Sequence, residues 1–523
     1  MRKWIREWRM TESAGPGLSL RAKRGLSSFV PAVSLRSLAV LGMTALPLAG
    51  ATAQTLQQRI DARLDAPPFN RALWGITLVD ESGRMLYGRN ADRLFIPASN
   101  TKIVVSMVAA ALLPPEWKVK TSLYGSGVVV DGVLQGDLVL YGRGDPTFSN
   151  RCYSTDTMAT GVCDRNIFIR LRQLADSLRA RGITAVAGDL GGDGSYFEPQ
   201  TVHGGWETYD LNWWYAAPVT GLSFNDNSID IKWGPGPRPG TPATVSITPW
   251  LGDLTFENRS RTREAGGDDI DFFRAPGTMD VRAEGSVAQA SRGGTEYFAM
   301  PDPNLFTARA LRQALGDAGI SVTGTTRATT DSMDYRHLLA GQPLAEVESR
   351  PLTDWIFPIL NTSQNLFAEM MLKQLGRIFG TAGSWQEGLK VERRFLIDSV
   401  GIDSTQVSLS DGSGLSSVNL VSPRAFTQML RFIRRHPRWS TFAAGFSQSG
   451  NTGSLRNRFK NTPLEGRVWA KTGSISRVNT LSGIIEPEGG RRLYFSIQAN
   501  HHTLPGRQIL AQIDSIVVEM GKR

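Results

Sequence analysis

A serine and a lysine stand three residues apart where a long apolar segment begins. In the stretch PASNTKIVVSMVAAALL, residues 97–113, they are Ser99 and Lys102. Residues three apart share one face of a helix, so the lysine amine can reach the serine hydroxyl. Burial among apolar neighbours disfavours a charged amine, and a neutral amine can accept the hydroxyl proton. The pair therefore predicts a nucleophilic serine with a lysine base, at a helix N-terminus that favours developing negative charge.

Two further fragments strengthen this prediction, because a single Ser-x-x-Lys is expected by chance in a chain of this composition. Ser363-Gln364-Asn365 stands at the predicted start of a second amphipathic helix, and Lys471-Thr472-Gly473 lies on a predicted strand. Each fragment also has a structural interpretation, Ser363 as a helix cap and Gly473 as a bulge glycine. Together with Ser99 and Lys102, however, they form the three-part set of penicillin-binding proteins and serine β-lactamases.

The chain resembles the class C low-molecular-mass penicillin-binding proteins, which are serine D-Ala-D-Ala carboxypeptidases and endopeptidases. Five further stretches are similar to that family: GRGDPTFS (142–149), GDLGGDGSYFE (188–198), APVTGLSFNDN (217–227), SDGSGLSSVNLVSP (410–423) and GSLRNRF (453–459). The long separation of Ser99 from Ser363 fits a family that inserts domains there, whereas a class A β-lactamase has a shorter gap. The implied fold is mixed α/β (α+β): a transpeptidase-like domain with an antiparallel sheet flanked by helices, and inserted β-rich domains.

The resemblance implies a catalytic role for five residues. Ser99 attacks the carbonyl of the penultimate D-alanine, and Lys102 is its base. Ser363 passes a proton to the leaving amine, while Asn365 holds the substrate amide and helps to fix Lys102. Lys471 adds positive potential.

Three neighbouring residues are implied to bind the substrate. Thr472 hydrogen-bonds the terminal carboxylate, and Gly473 lets the substrate backbone lie against the strand. The backbone N–H groups of Ser99 and Ser474 form the expected oxyanion hole.

Recognition of the stem side chain is less complete in this sequence. Asp193 matches the family's acidic residue that meets the distal amino group of diaminopimelate, although a turn aspartate is an alternative. The family usually has an arginine after DGSGLS, and here Ser417 occupies that position. We therefore expect a weaker or altered preference for the diaminopimelate carboxylate, with Arg477 as a possible substitute.

Helical and strand patterns divide the chain into a split domain with an insertion. Residues 54–120 and 346–523 are predicted to form the two parts of the transpeptidase-like domain, and 121–345 the inserted α/β and β-rich domains. A weak repeat within the insertion relates residues 174–188 to residues 311–324. Each copy pairs a helix that ends at glycine with a β-branched strand.

The first 53 residues read as a secretory signal peptide. They carry eight basic and two acidic residues, then an apolar run that closes at Ala51-Thr52-Ala53. An uncleaved anchor and a later start codon remain alternatives. We expect an exported protein of the periplasm or cell envelope, with at most peripheral membrane contact. Because six of the ten excess positive charges lie in this leader, the charge does not indicate nucleic-acid binding.

Two cysteines, Cys152 and Cys163, are predicted to form a local disulfide, as expected in an exported protein. The histidines show no metal-binding spacing, so we expect no metal or other cofactor.

The predicted function is that of a penicillin-sensitive D-alanyl-D-alanine carboxypeptidase or endopeptidase with peptidoglycan and β-lactams as binding partners. A β-lactamase and a non-catalytic cell-wall binding protein are the alternatives. Neither the balance between carboxypeptidase and endopeptidase activity nor the oligomeric state follows from the sequence.

Overall fold

The structure, a computed structural model, describes residues 54–149, 151, 153, 166–252, 254–275 and 277–522. The predicted signal peptide and the predicted pair Cys152 and Cys163 lie outside the described residues, so both stay predictions.

The α-helices of the described chain are α1 (Leu56–Asp65), α2 (Lys102–Leu112), α3 (Ile169–Ala180), α4 (Pro303–Asp317), α5 (Arg336–Leu339), α6 (Leu352–Leu360), α7 (Asn365–Phe379), α8 (Trp385–Phe395), α9 (Pro423–Arg435), α10 (Trp439–Ala443) and α11 (Gly506–Gly521). The strands in its first half are β1 (Leu73–Asp80), β2 (Met85–Arg89), β3 (Lys120–Gly125), β4 (Val129–Val130), β5 (Val133–Leu134), β6 (Leu138–Tyr141), β7 (Ala185–Val186), β8 (Leu190–Asp193), β9 (Ser228–Gly234), β10 (Thr244–Thr248) and β11 (Thr255–Asn258). The later strands are β12 (Arg261–Arg263), β13 (Asp271–Arg274), β14 (Asp280–Glu284), β15 (Ser286–Ala288), β16 (Gly294–Ala299), β17 (Ser321–Val322), β18 (Thr326–Thr329), β19 (Ala345–Glu348), β20 (Val407–Ser408), β21 (Leu420–Val421), β22 (Ser447–Gln448), β23 (Val468–Ile475), β24 (Val478–Ile485) and β25 (Leu493–Asn500).

A six-stranded antiparallel sheet, in the order β2-β1-β25-β24-β23-β22, joins the two ends of the chain. Strands β24 and β25 are buried along their whole length because helices cover both faces of the sheet. Side chains alternate between the faces, so Leu481 and Ile497 point to one layer of helices and Ile484 and Tyr494 to the other.

Helices α1 and α11 cover the first face. In α1, Leu56, Ile60 and Leu64 recur at helical spacing and are buried against the sheet together with apolar residues of α11. A capping box between Thr55 and Gln58 fixes the start of α1.

A helical layer of α2 and α6–α10 covers the second face. Helix α2 is apolar almost all round and lies in the middle of this layer, with every residue from Lys102 to Ala110 buried. It ends just before Pro114-Pro115, as the sequence predicts.

The region between the two parts of this body forms sheets of its own. A five-stranded sheet has the order β18-β8-β6-β3-β19, and a four-stranded sheet has the order β17-β7-β5-β4. Strands β3 and β19 lie at the two predicted domain boundaries and pair with each other, so the chain leaves and rejoins the body built on the six-stranded sheet at neighbouring positions. The predicted division into domains itself stays a prediction.

The two halves of the sequence repeat are equivalent pieces of this region. Helix α3 is followed by Gly182 and β7, and helix α4 by Gly319 and β17. Strands β7 and β17 pair in parallel, and the two helices contribute to one hydrophobic core. Strands β9–β16 lie between the halves along the chain, in three smaller sheets.

The observed architecture is the mixed α/β fold that the sequence predicts. Within the described residues, none of the helices combines the length and the hydropathy needed to cross a bilayer.

Candidate active site

Ser99 lies one turn ahead of helix α2, in a 3₁₀ turn that spans Ala98–Thr101. The sequence predicts Ser99 at the start of the helix itself. In this tighter turn Ala98 has a φ of +46°, and Thr101 Oγ1 donates to the Ala98 carbonyl at 3.0 Å. The predicted contact with the lysine is nevertheless present, since Lys102 Nζ lies 3.0 Å from Ser99 Oγ.

The amine of Lys102 is fully buried and contacts two carbonyl oxygens as well as this hydroxyl. Nζ donates to Asn365 Oδ1 at 2.6 Å and to the Ser413 carbonyl at 2.7 Å. A neutral amine has two N–H donors and one lone pair. It can therefore donate to both carbonyls while it accepts a proton from Ser99, which is the arrangement that a general base requires.

The Ser363-Gln364-Asn365 motif forms a sharp turn at the start of α7. Ser363 has a φ of +64°, and the Gln364 side chain caps the helix by accepting from Leu366 N at 3.4 Å. Asn365 Nδ2 donates to the Tyr215 carbonyl at 2.6 Å, which fixes its Oδ1 towards Lys102. The turn thus presents Ser363 and Asn365 to the same space.

Lys471 connects this turn to the sheet. Its fully buried amine donates to Ser363 Oγ at 2.9 Å and to the Thr472 carbonyl at 2.8 Å. The three motifs, far apart in the sequence, therefore converge through side-chain contacts that run from Ser99 to Lys102 and Asn365, and from Ser363 to Lys471.

Gly473 allows β23 to pass close to the serine. A Cβ at this position would lie 2.3 Å from Thr480 Oγ1 and 3.0 Å from Ser99 N. Thr480 Oγ1 in turn donates to the Pro97 carbonyl at 2.9 Å, which ties the serine turn to β24. Only glycine permits this approach of backbone to backbone.

The outer edge of β23 is open next to the motif. In the described sheet, β22 pairs with β23 only opposite Trp469 and Ala470, before Lys471 begins. Thr472 Oγ1 donates to Ser454 Oγ at 2.9 Å, and Ser474 Oγ accepts from Asn479 Nδ2 at 2.8 Å. Within the described sheet, no strand therefore pairs with β23 on this side beyond Ala470.

The residues predicted to recognise the stem side chain lie on three different elements. Asp193 ends β8 in the inserted region, is almost fully buried, and accepts from Ser195 N at 2.8 Å. Burial raises the pKa of its carboxyl. Ser417 is exposed in the loop after β20, and Arg477 is exposed in the turn between β23 and β24 with a φ of +60°. The roles of Asp193 and Arg477 stay predictions.

The loop of residues 411–416 lies in a stretch that the sequence marks as similar to the family, but its contact with Lys102 was not predicted. Its Ser413 carbonyl contacts Lys102, and the loop is held by two buried carboxylates, Glu369 and Asp411. Burial raises the pKa of Glu369 to about 7, and the nearby Asp411 acts in the same direction. A signal for Glu369 exists in the sequence, since it lies one helical turn after Asn365 in an otherwise apolar stretch.

A second unpredicted contact comes from the inserted region. Gln364 Nε2 donates to Asp226 Oδ2 at 2.9 Å and to Tyr153 Oη at 3.1 Å, and Tyr153 also hydrogen-bonds Asp226. Asp226 has a φ of +54° between two neighbours that are also left-handed. This tight turn brings its carboxylate to the Ser363-Gln364-Asn365 turn.

Comparison with known proteins identifies the class of enzyme as serine D-Ala-D-Ala carboxypeptidase. The profile of the D-Ala-D-Ala carboxypeptidase 3 (S13) family, Peptidase_S13, matches residues 56–520. The chain belongs to this family. The family and the enzyme class predicted from the motifs are thereby confirmed.

Individual relatives are similar to this protein over most of its length. A D-alanyl-D-alanine carboxypeptidase of Actinomadura sp. (strain R39) is 29% identical over 98% of this chain and 94% of its own length. Penicillin binding protein 4 (dacB) of Haemophilus influenzae superposes with a TM-score of 0.75 at 21% identity, covering 88% of this chain and 99% of that one. A structure of the same Haemophilus influenzae protein complexed with a novel β-lactam has a TM-score of 0.69, at 20% identity over 88% of this chain and 98% of that one. The predicted fold is confirmed.

Proposed function

We propose that this protein hydrolyses the D-Ala-D-Ala terminus of peptidoglycan stem peptides through an acyl-enzyme on Ser99. The observation that carries the proposal is the buried amine of Lys102, which lies 3.0 Å from the Ser99 hydroxyl and donates to two carbonyl oxygens. When the two N–H groups of a neutral Lys102 amine are donated to these carbonyls, its nitrogen lone pair faces the Ser99 hydroxyl.

In the acylation step, Lys102 Nζ takes the proton of Ser99 as Oγ attacks the carbonyl carbon of the penultimate D-alanine. The negative charge that develops on the carbonyl oxygen is stabilised by the backbone N–H groups of Ser99 and Ser474, which flank the close approach at Gly473. Ser363 then delivers a proton to the leaving nitrogen, and the C–N bond breaks. The proton that Lys102 took from Ser99 is passed on to Ser363, so that Ser363 regains its hydrogen and Lys102 is neutral again.

Ser363 is suited to this transfer by its contact with Lys471. Its oxygen accepts from Lys471 Nζ, so its own O–H can donate to the leaving amine. In deacylation, water attacks the ester carbonyl while neutral Lys102 accepts its proton. Lys102 then gives this proton to Ser99 Oγ as the ester C–O bond breaks, which regenerates Ser99 and the neutral amine.

The substrate is proposed to lie along the open edge of β23. Thr472 and the positive potential of Lys471 bind its terminal carboxylate, and Asn365 contacts its backbone amide. Asp193 and Arg477 are proposed to contribute to recognition of the diaminopimelate side chain, with a weakened hold on its carboxylate because Ser417 replaces an arginine.

The same chemistry accommodates two leaving groups. A free D-alanine leaves in the carboxypeptidase reaction, and a cross-linked neighbouring strand leaves in the endopeptidase reaction. We propose that both occur at this site, in a protein exported to the cell envelope. A β-lactam would enter as a mimic of D-Ala-D-Ala and acylate Ser99, in agreement with the β-lactam complex of the structurally similar Haemophilus influenzae protein.

The test compares Ser99→Ala with Ser106→Ala, a matched control on helix α2 whose buried hydroxyl makes no hydrogen bond to the described residues. Release of D-alanine from a D-Ala-D-Ala peptide is expected to disappear in the first variant and to persist in the second. Undiminished hydrolysis by Ser99→Ala would refute the proposal. A penicillin adduct that lasts minutes to hours favours the carboxypeptidase, and release within milliseconds favours a β-lactamase.

A further inference from the structure

Helix α7 contacts Lys102 directly through Asn365 and indirectly through the loop that contains Ser413. In the direct contact, Asn365 begins the helix and its Oδ1 accepts from Lys102 Nζ at 2.6 Å. The indirect contact starts at Glu369, four residues later and therefore on the same helix face. Glu369 is fully buried and is outside the three sequence motifs.

The carboxylate of Glu369 accepts hydrogen bonds from three N–H groups. Ser413 N donates to Oε1 at 2.7 Å, Gly412 N donates to Oε2 at 3.0 Å, and Trp385 Nε1 donates to Oε2 at 2.7 Å. An ionised carboxylate only accepts, so its two oxygens match these donors. The three hydrogen bonds favour the ionised form and so oppose the effect of burial on the pKa of Glu369.

Two of these donors belong to the loop that contacts the base. The carbonyl of Ser413 accepts from Lys102 Nζ at 2.7 Å, while its own N–H is held by Glu369. Gly412 lies against α7 so closely that a Cβ there would be 2.8 Å from the Ala368 carbonyl. Glu369 and this close packing therefore set where the Ser413 carbonyl points.

The other side of the loop is attached to the nucleophile turn. Asp411 accepts from Gly414 N at 2.8 Å and from Ser416 N at 2.7 Å, which closes the loop on itself. Gly414 has a φ of +79° and passes so near the Ala98 carbonyl that a Cβ would lie 1.9 Å from its oxygen. The loop is thus clamped between α7 and the turn that carries Ser99.

We propose that Glu369 is a positioning residue for the reaction. It holds the Gly412–Ser413 backbone so that the Ser413 carbonyl and Asn365 together orient the amine of Lys102 towards Ser99. The inference deepens the proposed function and rests on it, since it takes Lys102 to be the base. Glu369 itself touches neither the serine nor the substrate.

The variant Glu369→Gln tests this role because an amide NH₂ replaces one of the two accepting oxygens while the side-chain shape is kept. Acylation by penicillin and kcat on a D-Ala-D-Ala peptide are expected to fall roughly 10- to 100-fold, the effect of a misplaced catalytic group. The dissociation constant of the complex that precedes acylation is expected to stay unchanged, because Glu369 lies behind the site.

Glu392→Gln is the matched control. Glu392 is also a fully buried carboxyl, it lies on α8, and it makes no hydrogen bond to the described residues. Its variant is expected to keep the wild-type acylation rate. Lys102→Met in the same assay tests the proposed function separately: if it stays active, the base assignment itself fails.

The inference is overturned if folded Glu369→Gln acylates at the wild-type rate while Lys102→Met is inactive. It is also overturned if the loss lies wholly in the dissociation constant or the melting temperature. If Glu369→Gln does not fold, the variant Gly412→Ala tests the same proposal, because its Cβ would push the same loop away from α7. In Gly412→Ala, slow acylation with an unchanged dissociation constant supports the proposal, and a wild-type acylation rate refutes it.

Discussion

The proposed chemistry of this site depends on how two hydroxyl groups and two amines share their protons. Lys102 contacts one hydroxyl and two carbonyl oxygens, and only the hydroxyl can give it a proton. Ser363 accepts from Lys471, which leaves its hydrogen available for donation. The proposed proton transfers, from Ser99 to Lys102 and from Ser363 to the leaving amine, are compatible with these contacts.

A prediction at this scale concerns Gly473. In Gly473→Ala the new Cβ would collide with Thr480 Oγ1 and press on Ser99 N, so β23 must move away from the serine turn. We expect acylation by penicillin to slow by about 100-fold or more, the scale of a lost oxyanion-hole contact.

The control for this prediction is Gly316→Ala in helix α4, where a Cβ meets open space. Stopped-flow measurement of acylation compares the two variants with the wild type. A wild-type rate in Gly473→Ala would show that the close approach is not needed.

At the scale of elements, the sequence predicts the helices and the strand that carry the three motifs, because each depends on residues close together in the chain. The helix at Ser99, the helix after Ser363 and the strand at Lys471 follow from apolar periodicity, and their motifs identify the side chains that meet. The Ser413 carbonyl could not be predicted, since a backbone group leaves no residue-specific signal. The contact between Gln364 and Asp226 depends on three consecutive left-handed residues, which periodicity does not reveal.

The Gln364 contact gives a prediction for the turn that carries Ser363 and Asn365. Gln364→Ala removes the buried bonds to Asp226 and Tyr153. We expect the free energy of unfolding to fall by about 1–3 kcal/mol, because a buried acceptor is left without its donor. We expect kcat to fall more than KM rises, because the turn carries Ser363 and Asn365, to which catalytic roles are proposed.

Denaturant unfolding and steady-state kinetics on a D-Ala-D-Ala peptide measure these two effects. Gln313→Ala, at an exposed position of α4, provides the control. An unaltered kcat in Gln364→Ala would mean that the turn keeps its geometry without the inserted region.

At the scale of the whole molecule, α7 connects the body built on the six-stranded sheet to the inserted region. Lys373, buried in its middle, donates to the Gln200 carbonyl at 2.9 Å and lies 3.6 Å from the centre of the Trp385 ring. Burial lowers the pKa of this lysine to about 8. Gln374 donates to the Gly144 carbonyl at 3.3 Å. The sequence predicts the inserted region but not this attachment, which joins residues distant along the chain.

Glu392 gives a prediction for the stability of the whole protein. Burial raises the pKa of its carboxyl well above the ordinary value, with Glu369 and Asp411 acting in the same direction. Above the unfolded pKa of 4.5, the folded state keeps a proton that the unfolded state releases. The free energy of unfolding therefore falls as the pH rises above that value, by up to about 1.4 kcal/mol per pH unit for one proton.

In Glu392→Gln this contribution is absent, so stability is expected to decline less between pH 5 and pH 8 than in the wild type. Other buried carboxyls, such as Asp145 and Asp210 with pKa values raised to about 6, are common to both proteins and cancel in the comparison. Chemical denaturation at several pH values measures the difference. Parallel curves for the two proteins would contradict the prediction.

The central claim is that Ser99 forms the covalent bond with the substrate, and mass analysis of the penicillin-treated protein tests it most directly. After proteolytic digestion, the account predicts one penicilloyl adduct, on the peptide that contains Ser99, and none in Lys102→Met treated for the same time. An adduct on another residue, or turnover of D-Ala-D-Ala peptides with Ser99 never modified, would contradict it.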